Sequence, residues 1–452
     1  MTTMTMRTAC SAAAILALGF GANAALADEN DGLPEASIAT SLNGGPDASA
    51  RAALAAKGIT YGINYIGETF TNSGGAKDGS IYQGRLEVFV DADLEKLAGF
   101  KGLTFHANGY QIHGKGLGDN LGGPLMAISS IEAEASTRLF ELWLEQKFGE
   151  RVSVRAGQLA VDSEFFTTET GGAFINSTFG WAGIWAADVP QGGNAYPLAT
   201  PGARVQVNLT DALTFRAAIY NGSPANPNCD DPQACNDHGT DFRTQDDPFL
   251  VQEIEYKYNQ AAKGGAKDGG YKGYKDFAPA PSGITSLPGT IKFGSWQHTS
   301  DFSDVYSATL RNDPKTLFDS NYGFYGSIDQ QIYALPDDPT KGINVFARLA
   351  GAPTDRNAVD FYFDGGVVFS GFIPSRPDDS FGAGFAYASV SDDAIKADST
   401  LNYESMAEIF YKAQIVPGLT IQPDLQYMWN VGGVEKGGED AIYGGVRISV
   451  AY

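Results

Sequence analysis

The sequence predicts an all-β protein, a transmembrane antiparallel β-barrel of 16 strands with one loop folded inward to constrict it. Three observations carry this expectation. From residue 59 onward the chain repeats segments of about ten residues in which apolar and polar side chains alternate. The connections between segments alternate in length, tight on one side and long on the other. The last segment ends on an aromatic, Tyr452, with Val446, Ile448 and Val450 on the same face.

Residues 1–27 read as a cleaved secretory signal. Arg7 is the only charge ahead of an apolar run from Ala12 to Phe20, and small-residue sites follow at Ala22-Asn23-Ala24 and Ala25-Leu26-Ala27. That run is too short to span a bilayer, which takes about 20 apolar residues. Residues 28–58 do not alternate and form a periplasmic N-terminal segment. Within it, 28–45 is expected to lack structure and 47–57 to form a short helix. Asp47 or Ser49 would be its N-cap and Gly58 its stop. Whether that helix plugs the mouth or lies free in solvent stays open at this point.

The barrel is expected over 59–452. In 80–91, Tyr82, Leu86, Val88 and Val90 alternate with Gln83, Arg85, Glu87 and Asp91; Phe89 breaks the polar row. In 213–220, Phe215, Ala217 and Ile219 oppose Thr214 and Arg216. In 418–429, Leu419, Ile421, Leu425 and Tyr427 oppose Thr420, Gln422, Asp424 and Gln426. A period of two puts each set on its own face of a strand. Tyr256, Tyr258, Tyr427, Trp429 and Tyr452 sit at segment ends, where an interfacial girdle belongs. Gly149-Glu150, Thr210-Asp211 and Val416-Pro417 are tight turns, while 114–136, 160–201 and 221–246 are long loops. With the N-terminus in the periplasm, the turns fall inside and the loops outside. One connection departs from this pattern: 259–288, rich in Gly, Lys and Tyr, is a long periplasmic insert.

Composition agrees. Gly 55, Tyr 21 and Phe 27, with only 19% charged residues, suit a wall wetted on one face. A net charge of −22 argues against nucleic acid as a partner, since phosphate binding needs basic clusters. Of the three cysteines, Cys10 lies in the signal. Cys229 and Cys235 are expected to form a disulfide in a polar external loop, with a metal pair as the weaker alternative. No paired-His metal motif, G-x-S-x-G run or phosphate loop occurs, so no catalytic or metal residue and no cofactor is expected. Asp162 and Glu164 as a catalytic carboxylate pair, and Asp230, Asp231 and Asp237 as a Ca²⁺ site, are both weaker than ordinary loop acids.

Several stretches resemble the carbohydrate-selective porin family (OprB). They include Asp93-Leu94-Glu95-Lys96-Leu97-Ala98-Gly99, Tyr110-Gln111-Ile112-His113-Gly114 and Leu142-Trp143-Leu144-Glu145-Gln146. Further on come Asp162-Ser163-Glu164-Phe165-Phe166, Tyr196-Pro197-Leu198-Ala199-Thr200-Pro201-Gly202 and Gln422-Pro423-Asp424-Leu425-Gln426-Tyr427. The resemblance implies a monomeric 16-stranded outer-membrane channel for glucose-sized sugars. Its surroundings would be outer-membrane lipid and lipopolysaccharide, and the barrel-assembly machinery would engage its C-terminal strand. The 259–288 insert departs from the family.

A barrel of this size leaves an aqueous lumen, so selectivity rests on what narrows it. The loop 160–201 is the candidate: Phe165, Phe166, Phe174, Phe179, Trp181 and Trp185 give it too much apolar surface to lie free in water. It is expected to fold inward; packing of those rings onto the wall is the companion expectation. Strand parity puts Arg85, Arg155, Arg204, Arg216, Arg348 and Arg447 in the lumen, with Glu87, Glu141, Glu145, Glu253, Glu255 and Asp424. A sugar hydroxyl both donates and accepts, Arg donates, carboxylates accept, and an aromatic ring matches the C–H face of a pyranose. The expected contacts are Arg85, Glu87, Glu141, Trp143 and Arg155 on adjacent early strands, with Trp181 and Trp185 from the loop. Wall-stiffening ion pairs are the plainer role for each charge. Two rivals remain, a general diffusion porin and a secreted β-sandwich carbohydrate-binding protein.

Overall fold

The computed structural model describes residues 37–42, 47–260, 287–311 and 316–452; the expected signal and most of the 259–288 insert lie outside them. Sixteen antiparallel strands close into one barrel. In chain order they are β1 (Ile59–Gly74), β2 (Gly79–Asp93), β3 (Leu103–Gly114), β4 (Ser136–Phe148), β5 (Val152–Leu159), β6 (Thr200–Asn208), β7 (Leu213–Asn221), β8 (Pro248–Tyr258) and β9 (Gly289–His298). A small external hairpin of β10 (Phe302–Ser303) and β11 (Thr316–Phe318) interrupts the series. The barrel resumes with β12 (Asn321–Ala334), β13 (Gly342–Gly351), β14 (Val359–Ser370), β15 (Ser380–Val390), β16 (Tyr403–Val416), β17 (Leu419–Trp429) and β18 (Ala441–Ala451). Each barrel strand pairs with its sequence neighbour, and β1 pairs with β18 to shut the ring. The insert does not disturb the count, because Tyr258 pairs directly with Gly289 across it.

Among the described residues no helix is long and apolar enough to cross a membrane. The strands do the crossing, and closure satisfies every ladder bond that lipid would leave unmade. Alternation sorts the faces as expected. Val88 is 50% exposed, while Gln83 and Arg85, of the opposite parity on the same strand, are buried. Ile219, Leu425 and Ile448 are exposed, whereas Gln422, Asp424 and Gln426 are buried. One external connection departs from the length rule: 75–78 joins β1 to β2 tightly at the outer rim. Val88→Lys puts a charge on the lipid face near mid-strand and is expected to lower folding stability in liposomes by about 2–4 kcal/mol. The same charge at Gln206, on the water face, should cost far less. Equal losses in denaturant titrations of the two variants would contradict the assignment of faces.

The N-terminal helix spans Ala48–Ala55 and leads through Gly58, at φ 88°, into β1. Asp47 occupies the N-cap position, but its side chain makes no capping bond. Its carboxylate instead accepts from the phenols of Tyr61 and Tyr452 and from Arg51 Nε. The Arg51 guanidinium lies over both rings, 4.2 and 4.7 Å from their centroids, and donates to the Tyr61 carbonyl at 2.8 Å. Arg51 is 1% exposed. The helix thus clamps the last residue of the chain at the rim where β1 starts and β18 ends.

Cys229 and Cys235 are disulfide-bonded within the external loop between β7 and β8.

Candidate functional site

The lumen is filled unevenly. Two loops bond to its inner wall: 160–199 and 115–135, the second of which parity alone did not single out. Both are held by wall carboxylates that accept from loop backbone N–H groups. Glu408 on β16 takes the amides of Ile175 and Asn176 at 2.6 and 2.9 Å. Asp329 on β12 takes the amide and hydroxyl of Thr170 at 2.7 and 2.6 Å. Glu404 on β16 takes the amides of Leu125 and Met126 at 2.9 and 2.7 Å. Each such hydrogen bond contributes about 0.5–1.5 kcal/mol net.

Arg348 on β13 is the hub of the longer loop. Its five N–H groups form a rigid fork. They reach both Asp364 oxygens and the carbonyls of Phe166, Thr178 and Gly180. Arg348 and Asp364 are both fully buried. Phe166 is pinned from two sides: its amide donates to Glu253 on β8 at 2.9 Å while its carbonyl accepts from Arg348. It sits at φ 55°, a conformation that non-glycine residues hold only when their surroundings demand it.

The loop aromatics pack onto the wall. Phe166 lies 4.4 Å from Tyr325, Phe174 5.0 Å from Phe410, and Phe179 5.8 Å from Phe346. Each buried ring contributes about 1.5–3 kcal/mol. Wall glycines make the room: a Cβ at Gly384 would stand 2.7 Å from Phe174 and 2.8 Å from Phe179. This explains the mid-strand Gly382-Ala383-Gly384. The loop leaves β5, reaches β12, β13, β14, β16 and β17, and returns to β6. These ring contacts match the expectation of wall packing.

The opposite wall, β2 to β6, carries a ladder of charges. Arg155 bonds Glu145 at 2.8 Å and Glu164 of the loop at 3.2 Å; Arg204 bonds the same two acids at 3.3 and 2.8 Å. Further round, Arg216 and Lys292 share Glu253 and Glu255. Burial pushes the Glu164 carboxyl up, but Arg155 and Arg204 outweigh it and hold it below the usual range. Burial raises Asp162 to about 7 against the pull of the Tyr196 amide, and raises Glu132 in the shorter loop to about 7 against the Gly118 amide.

The structure places the sequence-predicted residues as follows. Trp143 stands between His106, stacked at 4.9 Å, and Arg155, whose guanidinium is 3.8 Å from its centroid. Gly157 lies across from Trp143 at φ 148°, where a Cβ would meet Trp143 Cα at 2.6 Å. Arg85 lies over the rings of Tyr110 and Tyr196. Glu87 accepts from Asn64 and Asn108 at 3.1 and 2.9 Å. Glu141 accepts from the Ala160 amide at 3.0 Å and so anchors the start of the loop. These five lie on β2, β4 and β5, so the expected adjacency holds only for β4 and β5; β3 stands between β2 and β4. Trp181 donates to the Gly192 carbonyl at 3.1 Å and meets Trp185 edge-on at 5.0 Å. Trp185 is 0% exposed, enclosed by Phe249, Trp296 and Tyr325. Its place is in the packing between loop and wall.

The sequence reading took Glu164 for an ordinary loop acid and did not single out Asp329, Glu404, Glu408 or the loop 115–135 as an inward element. The signal for the loop was present. Leu117, Leu121, Met126, Ile128 and Ile131 are all buried, an apolar surplus of the kind that singled out 160–201.

Residues 77–452 match the family described as carbohydrate-selective porin, OprB family. Porin B of Pseudomonas aeruginosa is 26% identical over 442 residues, covering 89% of each chain. The high-pH structure of Pseudomonas putida OprB superposes with a TM-score of 0.76 at 22% identity, covering 89% of this chain and 96% of that one. The low-pH structure of the same protein gives a TM-score of 0.54 at 17% identity, covering 90% and 97%.

Proposed function

The chain belongs to the carbohydrate-selective porin family, OprB, and is an outer-membrane sugar channel; from that premise we propose that it passes glucose-sized neutral sugars by diffusion toward the periplasm. The supporting observation is the ladder on β2 to β6. Two of its arginines, Arg155 and Arg204, share the carboxylates of Glu145 and Glu164, so donors and acceptors alternate there without leaving a field of one sign. Such a surface can exchange hydrogen bonds with hydroxyls while favouring neither anions nor cations, and weak binding keeps passage fast.

The contacts proposed are Arg85, Glu87, Glu141, Trp143 and Arg155, with Trp181 at the loop edge. Trp143 orders Arg155 through the cation–π contact, and Glu141 sets the loop at the constriction. Trp185 belongs to this site only as the anchor beneath Trp181. The loop 160–199 is the constricting element. No catalytic step is needed for transport of this kind. We infer that one chain is a complete channel, since the ladder and both inward loops come from the same barrel. The terminal strand ending in Tyr452 is the segment offered to the assembly machinery.

Glucose block of single-channel current tests the site. Arg85→Ala and Arg155→Ala should each raise the half-blocking concentration about fivefold, the loss of one hydrogen bond of about 1 kcal/mol. Unchanged block in folded, conducting variants removes these residues from the site. Liposome swelling with sugars against amino acids of equal size separates this reading from general diffusion.

A further inference from the structure

Toward the periplasmic rim, below the paired charges, the inner faces of β4, β5 and β6 and the turn after β4 enclose an open recess of about 350 Å³. That is within the range of small-ligand sites, about 300–1,000 Å³. Glu145, Lys147, Glu150, Ser153, Gln206 and Asn208 line it.

Most of these groups already have partners. Glu145 is held by Arg155 and Arg204. Ser153 accepts from Arg204 at 2.8 Å. Gln206 accepts from Arg216 at 2.9 Å and donates to Asn208 at 3.2 Å, and Asn208 donates to the Glu150 carbonyl at 2.9 Å. Two are different. Neither the Lys147 ammonium nor the Glu150 carboxylate bonds to another described residue, and they do not pair with each other. One recess thus offers three strong donors on one side and acceptors on the other, with their charges cancelling. A lone anion meets Glu150, and a lone cation meets Lys147. A neutral molecule with several hydroxyls can satisfy both at once, because each hydroxyl donates and accepts.

We propose that this recess is a second solute station, an exit subsite in which Lys147 donates to, and Glu150 accepts from, the hydroxyls of a neutral polyol leaving the constriction. The inference rests on the sugar-channel reading above and extends it to a place on the periplasmic side. Transport gains a short step: a sugar released by Arg155 passes to the recess along the shared Glu145 carboxylate before it reaches bulk water.

The test is current block in planar bilayers with glucose added to one side at a time. Orientation is set by Lys101→Cys biotinylated through maleimide, which streptavidin reaches only from the periplasmic side. Lys147→Ala combined with Glu150→Ala should raise the half-blocking concentration for periplasmic glucose about fivefold per hydrogen bond lost, and leave block from the outer side at the wild-type value. Unchanged periplasmic block overturns the exit subsite while the constriction stands. Equal weakening from both sides also overturns it, because the two residues would then act through Glu145. A wild-type channel that glucose blocks from neither side overturns the subsite and the constriction together, and so separates failure of the larger reading from failure of this one.

Discussion

Arg348→Ala is expected to cost about 3–5 kcal/mol, the loss seen when one partner of a buried ion pair is removed and the other left uncompensated. Asp364 has no water to turn to, and the carbonyls of Phe166, Thr178 and Gly180 lose their donor together. The damage should show twice. The denaturant midpoint should fall, and single-channel current should become larger and noisier as the loop lifts from β13. Arg348→Ala combined with Asp364→Asn should recover stability in part, since it removes the stranded charge. It should not recover the quiet current, since the loop carbonyls stay unmet. A variant with wild-type conductance noise would show that the loop is held without Arg348.

Arg51→Ala should have the next largest effect, about 2–3 kcal/mol, from two lost cation–π contacts and the hydrogen bonds of a buried guanidinium. The consequence is local to the seam. Ile63 and Tyr452 exchange backbone bonds at 2.9 and 2.8 Å beside the clamp. Their amides should exchange with deuterium faster in the variant, while amides of β8 and β9, on the far side, keep their rates. Uniform acceleration around the ring would mean that Arg51 serves overall stability rather than closure.

The wall was legible in the sequence because a period of two is a one-dimensional signal. Val88 and Gln83 could be assigned to opposite faces without knowing what either touches. The 16 strands and the lumen side of Arg155, Arg204, Arg216, Arg348 and Arg447 followed from that parity. The site was legible only by face. Whether an inward Arg meets solute or a carboxylate depends on residues far away in the chain, as with Arg348 and the carbonyl of Gly180. Trp185 looked like a sugar platform because its neighbours are aromatic; the same neighbours bury it. Asp47 stands at the N-cap position as expected, but the partners of its side chain were not legible, for a related reason. Local rules pair it with the helix amides, but two phenols brought by β1 and by the last residue of the chain hold it instead.

The carboxylates of Glu404, Glu408 and Asp329 grip main-chain amides, a group that every residue but proline supplies. The inward loops can therefore exchange many side chains over evolutionary time and still settle in the same seats. Drift at these positions alters what the passage prefers without undoing the scaffold, so one ancestral barrel can be retuned from one nutrient to another by point mutation alone.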